Sequence, residues 1–155
     1  MRIKAGQGEV YMPEKETLER ARKDKREGKA ASTQAGEFVR EEIEHIREGK
    51  HGARSTKQAI AIGLSKARRA GVDLPPSPGA SEEVREQAER DTRKAKSGKR
   101  PSAKRSRATR KALKREGHSA ASKEALSRQA RSAAKSRSAA SRSRSAKKAA
   151  ATRKK

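Results

Sequence analysis

The sequence predicts an all-α protein, with a small helical hairpin, isolated charged helices beside it, and a long basic C-terminal tail that is largely disordered or only conditionally helical. Apolar residues make up 30% of the 155 residues and charged residues 40%, which leaves little material for a large core. Apolar positions recur at helical spacing only in the middle of the chain. The chain also carries 43 Lys and Arg against 19 Asp and Glu, and this net charge of +24 lies mainly at its C-terminal end.

Composition divides the chain into five segments. We expect, in order, a charged N-terminal segment with one helix, an amphipathic helical hairpin, a proline-rich linker, a charged helix and a basic tail: residues 1–32, 33–74, 75–80, 81–96 and 97–155. The first of these helices is predicted between Pro13, which suits a first helical position, and Gly28, which suits a C-terminal cap. Only Leu18 and Ala21 offer it an apolar contact, so we expect a marginal helix.

The hairpin is predicted from two amphipathic stretches. The first runs from about Thr33 to Gly49, and the second begins at a capping box, in which the Ser55 oxygen accepts from the Gln58 backbone, and ends at Gly71. We expect their apolar faces to pack around a groove of Ala59, Gly63 and Ala67, through Phe38, Val39, Ile43, Ile46, Ile60 and Leu64. A unit of about 40 residues rarely folds alone, so we expect self-association, a protein partner or marginal stability.

The remaining helices are predicted from their caps. Ser81 caps a charged helix that reaches about Lys96, Ser102 begins another that Gly117 closes, and Ser119 or Ser122 begins a third that reaches Ala134. The tail itself holds 15 Ala, 12 Ser and 21 Lys and Arg, with Glu116 and Glu124 as its acids, so it cannot form a core of its own. Its Ala, Lys and Arg content favours helix formation on an anionic partner.

One block of the hairpin resembles a known family. Residues 57–65 read Lys-Gln-Ala-Ile-Ala-Ile-Gly-Leu-Ser, and residues 36–74 around them resemble a small bacterial domain family of uncharacterised function, whose members look like short Lys/Arg-rich cytoplasmic proteins. The tail resembles the Lys/Ala-rich tails of linker histones and bacterial histone-like proteins in composition. These resemblances imply a bacterial, cytoplasmic and nucleoid-associated protein.

Motifs for chemistry are mostly absent from the sequence. The chain has no cysteine, and His45, His51 and His118 show no i, i+4 pairing, so we expect no metal site and no cofactor. We place the carboxylate pair Glu41 and Glu42 on an exposed helical surface, and His45 at the polar edge of its helix, where acid–base catalysis would lack a cleft. We therefore expect a protein that is not an enzyme. An apolar signal region is missing from residues 1–8, and we expect neither export nor membrane insertion.

Electrostatic binding of nucleic acid remains as the function that the sequence favours. Release of counterions from phosphates gives cationic segments affinity without base recognition, and the scarcity of aromatic residues, Phe38 and Tyr11, favours duplex or structured nucleic acid over single strands. We expect DNA or structured RNA as the partner, with DNA favoured. The predicted contacts are Lys50, Arg54, Lys57, Arg68, Arg69, Lys99, Arg100, Lys104, Arg105, Arg107, Arg110, Lys111, Lys114, Arg115, Arg128, Arg131, Lys135, Arg142, Arg144, Lys147 and Lys148.

A second hypothesis belongs to another functional class. In it, the hairpin at 33–74 is a protein-interaction or stress-adaptor module, and the tail serves solubility or localisation. Attraction of the tail to an anionic membrane is a weaker alternative, because Leu113 and Leu126 are its only large apolar side chains.

Overall fold

A computed structural model describes residues 12–153, and this part of the chain consists of α-helices and short connections without a β-strand. The all-α prediction is therefore confirmed for these residues. The predictions for residues 1–8, Tyr11 and the last two lysines lie outside the described part. The helices are α1 (Lys15–Arg26), α2 (Ala31–Arg47), α3 (Thr56–Arg69), α4 (Glu82–Ser97), α5 (Ala103–Leu113), a short 3-10 helix (Ser119–Ala121), α6 (Lys123–Lys135) and α7 (Ala139–Arg153).

The predicted hairpin of α2 and α3 is confirmed. Ala59 and Ala67 are fully buried, and Gly63 lies so close to α2 that a Cβ there would be 2.6 Å from the Val39 Cα. The Ser55 Oγ accepts from the Gln58 amide at 3.1 Å, whereas the Gln58 side chain accepts from the Arg54 amide at 2.7 Å. Small residues on α3 thus let the two backbones approach closely.

Two apolar clusters hold the hairpin and its neighbours together. On one side Phe38 and Ala67 pack with Ala21 and Leu18 of α1, together with Leu64. On the other side Ile43, Ile46 and Ala59 pack with residues of the tail, and Val39 flanks them. Ile60 is only half-buried and belongs to neither cluster, so its predicted part in the hairpin core is not what the structure shows.

The predicted isolation of the charged helices is wrong. Helix α4 is nearly devoid of apolar residues, yet it docks on α3 through Ala88 and through Asp91, which is fully buried. The Asp91 carboxylate accepts hydrogen bonds from the Ser65 hydroxyl at 2.6 Å and from the Arg69 Nε at 2.8 Å. A paired buried carboxylate therefore attaches a helix that has almost no apolar face.

The tail is not a disordered segment in the structure, which corrects the second part of the predicted fold class. It is helical through α5, α6 and α7, the last of which the sequence did not predict, and part of it completes the core. Leu113, Ala120 and Ala121 are buried, and Leu126 packs on the cluster around Ile46. Small apolar side chains spaced along a polar segment are sufficient to attach the tail, because the hairpin supplies the rest of the apolar surface that is buried.

Backbone hydrogen bonds fasten the tail to the loop between α2 and α3, which we call the connecting loop (residues 48–55). The amides of Gly52 and Ala53 donate to the carbonyls of Leu113 and Gly117 at 2.9 and 3.0 Å. The Thr56 hydroxyl donates to the Ala120 carbonyl at 2.7 Å. The folded unit therefore extends well beyond residue 74, which explains how so small a hairpin is covered. No helix among residues 12–153 has the length and apolar content that crossing a membrane requires.

Candidate functional site

Helix α5 separates a docked face from a cationic face. Ser106, Thr109 and Leu113 are buried or half-buried, and Arg110 lies on the same side. At 100° per residue the opposite face spans an arc of about 100° and is fully exposed. This face, which we call the α5 stripe, consists of Lys104, Arg107, Lys111, Lys114 and Arg115. Arg110, which the sequence grouped with these cations, therefore belongs to the docked side.

Helix α6 repeats this division. Its half-buried side carries Ala125, Leu126 and Gln129, while Arg128, Arg131 and Lys135 are exposed at i, i+3, i+7 spacing. We call these three residues the α6 stripe. Ion pairs between two described residues all lie within residues 14–91, so neither stripe takes part in one, although the exposed Glu124 lies one turn before Arg128 on the same face of α6.

The other tail cations are more dispersed. Helix α7 buries no residue, and its Arg144, Lys147 and Lys148 share an arc of about 100°, whereas Arg142 lies on the opposite side. Near the start of α5, a cavity of about 680 Å³ opens between α1, α3, α4 and α5. Its lining includes Lys99, Arg100 and Arg105 together with Arg22 and Lys94, and no acidic residue. This positively charged lining favours an anionic ligand.

The structure uses several predicted hairpin contacts for its own stability. Arg68 is buried, and its Nε donates to the Leu74 carbonyl at 2.9 Å. Arg69 pairs with the buried Asp91, and Lys50 lies 3.0 Å from Glu48 and 3.2 Å from Glu14. Arg54 and Lys57 alone among the five are exposed without an ion pair. The hairpin thus lacks the continuous basic face that the sequence suggested.

A second candidate site is a cluster of charged residues between the two apolar clusters, which the sequence did not predict. Glu42 is fully buried, and its carboxylate oxygens lie 3.1 Å from the His51 Nε2 and 2.7 Å from the Lys66 Nζ. Lys66 also lies 3.5 Å from Glu41, which is 2% exposed. The angles of the two Glu42 contacts fall outside hydrogen-bond geometry, so charge attraction holds this carboxylate.

Two histidines complete this buried cluster of Glu41, Glu42, His45, His51 and Lys66. Their rings are 6.1 Å apart at nearly right angles, and the His45 Nε2 lies 2.8 Å from a carboxylate oxygen of Glu14. The His51 Nδ1 lies 3.0 Å from the Gly52 carbonyl oxygen, which can only accept, so Nδ1 carries a proton and donates.

The mutual contacts decide the charges of Glu42 and His51. Burial raises the pKa of the Glu42 carboxyl, but contacts with His51 and Lys66 outweigh burial and hold this pKa below its usual value. Burial lowers the pKa of the His51 imidazole, but Glu42 and the Gly52 carbonyl outweigh it and raise this pKa above its usual value. Both shifts favour an imidazolium that faces a carboxylate.

The predicted exposure of Glu41, Glu42 and His45 is therefore wrong. These residues follow Phe38 by three, four and seven positions, so they share its buried arc on α2. Lys66 lies in the corresponding arc of α3, three positions after Gly63. Opposite charges on the inward arcs of two paired helices were the signal that could have revealed the cluster.

Comparison with known proteins gives one match. The family described as "Family of unknown function (DUF6496)" matches residues 15–78, which span α1 to α3 and the start of the linker. This range includes the Lys-Gln-Ala-Ile-Ala-Ile-Gly-Leu-Ser block and the buried cluster. No curated protein matches. No solved structure matches either.

Proposed function

We propose that this protein binds duplex nucleic acid, with DNA favoured, through the α5 and α6 stripes and without reading its sequence. Such binding is not enzymatic and is typical of nucleoid-associated or architectural proteins. The observation that carries the proposal is the presence of two exposed, mainly cationic faces, whose cations form no ion pair with a described residue, on helices that are docked on a folded body.

The length of the α5 stripe suits a duplex. From Lys104 to Arg115 the stripe spans about 16 Å at 1.5 Å per residue, with its last two residues in the turn that directly follows α5. Duplex DNA carries one negative charge per about 1.7 Å of its axis, so roughly ten phosphate charges lie along the same length. The phosphate charges therefore outnumber the five cations, so the cations still find phosphates to contact after a small shift along the duplex.

The aromatic residues favour duplexes over single strands. Binding of single strands without sequence preference relies on bases that stack on aromatic side chains. Phe38 is buried in the hairpin and offers no such surface. The exposed residues of both stripes are Lys and Arg, which contact phosphates rather than base faces.

Docking changes the role that the sequence assigned to the tail. Because α5 and α6 are held by the connecting loop and by buried side chains, the stripe cations keep their spacing in the unbound protein. Binding then costs less ordering entropy than a tail that folds on its partner. Helix α7, exposed on all sides, supplies additional cations to a long duplex.

The test compares two variants of the full chain that lose equal charge. The first replaces the five residues of the α5 stripe by Gln. The control replaces five exposed cations outside the predicted contacts and the cavity by Gln, namely Lys15, Lys23, Lys25 and Arg26 of α1 and Arg93 of α4. Binding to a duplex DNA is measured by fluorescence anisotropy over a salt series. If all five stripe cations contact phosphates, the log–log slope becomes shallower by about 4.5 in the first variant.

The control is expected to retain a slope close to that of the unmodified chain. An equal loss of affinity and of salt dependence in both variants would show that affinity depends only on total charge, and would refute a defined interface. Circular dichroism confirms that both variants keep their helices. The competing hypothesis of protein capture by the hairpin has less support, because α1 and the tail cover the apolar face that it requires.

A further inference from the structure

We propose that Glu42, His45 and His51 form a binding site for one divalent transition-metal ion of the zinc class. One ligand atom from each residue, a carboxylate oxygen or a ring nitrogen, lies within 4.8 Å of the other two. All three residues are more than nine-tenths buried. Two imidazoles and one carboxylate are a ligand set that zinc uses in proteins.

The distances require little movement for coordination. An ion at the centre of a triangle with 4.8 Å sides lies about 2.8 Å from each corner, whereas zinc bonds to nitrogen and oxygen are about 2.0–2.2 Å. Each ligand atom therefore has to move inward by about 0.7 Å at most. Glu42 and His45 are separated by three residues on α2, which places them on one face, and His51 reaches the same point from the connecting loop.

The polar atoms that would bind the ion form ion pairs but no well-formed hydrogen bonds. Both Glu42 carboxylate oxygens and the His51 Nε2 are buried without a hydrogen bond of acceptable geometry. The other nitrogen of His51 donates to the Gly52 carbonyl, which leaves Nε2, 3.1 Å from the Glu42 carboxylate, as the ligand atom. Histidines that bind metals usually donate their second nitrogen to a carbonyl or carboxylate in this way. At His45 the nearby Glu14 carboxylate serves the same orienting role or adds a ligand.

The charges of the cluster favour a divalent cation. Glu41 and Glu42 bury two negative charges against the single positive charge of Lys66, whereas the half-exposed Glu14 at the edge is paired with Lys50. With both imidazoles neutral, as metal ligands must be, these buried charges sum to −1, which a divalent ion offsets as it displaces the second ring proton of His51. Lys66 then remains with Glu41 and the outer oxygen of Glu42, so the ion and the ammonium group do not exclude each other.

The consequence of binding would be structural. The ion would join α2 to the connecting loop at His51, and the next two residues, Gly52 and Ala53, hold the tail through their amides. Metal binding at this point would therefore stabilise both the hairpin and the docked position of α5. The expectation from the sequence that no metal site exists rested on histidine spacing, which did not foresee that the loop returns His51 to α2.

The test uses the full chain without an affinity tag, stripped with a chelator and titrated with Co²⁺ while the visible absorption is recorded. We expect one Co²⁺ per chain, displaced by Zn²⁺. His51→Gln and Glu42→Gln should weaken binding by more than about tenfold, and the matched control His118→Gln, at an exposed histidine, should not. Absence of Co²⁺ binding up to about 1 mM, or an equal loss in the control, would overturn the proposal.

A second measurement needs no variant, so it tests the proposal even if the substituted proteins do not fold. The melting temperature of the unmodified chain should rise by on the order of 10 °C when Zn²⁺ is present at a hundredfold excess over its dissociation constant, and Mg²⁺ should have no such effect. An unchanged melting temperature with Zn²⁺ would overturn the proposal. Nucleic-acid binding is measured with chelator present, so it tests the proposed function separately.

Discussion

The substitution Gly52→Ala tests the docking of the tail on the connecting loop. A Cβ at residue 52 would overlap the carbonyl oxygen of Glu116 and lie 2.5 Å from both the Glu116 carbonyl carbon and the Gly117 carbonyl oxygen. These are backbone atoms, which cannot rotate away as a side chain can. The loop and the segment that follows α5 must therefore move apart by about 1 Å to restore an ordinary van der Waals separation.

This separation disrupts the contacts that hold the tail. It breaks the hydrogen bonds from the amides of Gly52 and Ala53, which are worth about 1 kcal/mol each. It also loosens the packing of Ala120 and Ala121 against the cluster around Ile46. Overpacking of a close contact typically costs about 1–3 kcal/mol, so we expect the free energy of unfolding to fall by about 3–5 kcal/mol in total.

The assay is urea denaturation followed by circular dichroism, with Gly36→Ala as the matched control. Gly36 lies within α2, and a Cβ there would meet nothing within 4 Å. Alanine is the better helix former, so the control should raise the free energy of unfolding by about 0.5–1 kcal/mol. A Gly52→Ala protein as stable as the unmodified chain would refute the docked tail.

Three further predictions use the same denaturation assay. Gly63→Ala places a Cβ against the α2 backbone and should lower the free energy of unfolding by about 1–3 kcal/mol. Asp91→Asn removes the buried charge that attaches α4 and should cost about 2–3 kcal/mol, whereas Glu86→Gln, in an exposed pair, should change stability by less than about 0.5 kcal/mol. Truncation after Ser136 should leave the midpoint unchanged because α7 buries nothing, but truncation after Gly98 should lower it because it removes core residues.

The helices other than α7 were predictable because their ends carry local signals. Ser55, Ser102 and Ser122 each accept from a backbone amide at a helix start, and Gly28 and Gly71 adopt the positive φ that ends a helix. The hairpin was predictable as well, because Ala59, Gly63 and Ala67 fall on one face of α3. Such signals depend only on neighbouring residues.

The remaining features depend on residues that are distant in the chain. A buried Glu42 is unfavourable alone and acceptable only with Lys66 and His51, which no local pattern joins to it. Likewise, Ala120 and Ala121 stabilise the fold only because they pack on the apolar surface of Ile46 and Ala59. Charge and low complexity suggested a disordered tail, because a rule based on the tail alone does not count the hairpin as a packing surface.

The salt dependence of duplex binding by the unmodified chain tests the central claim most directly. If the eight cations of the α5 and α6 stripes contact phosphates, the logarithm of the association constant should fall with the logarithm of the salt concentration at a slope of about −7 on duplex DNA. A steeper slope would mean that α7 contributes further contacts. A slope near −2, or binding that salt does not weaken, would contradict the account.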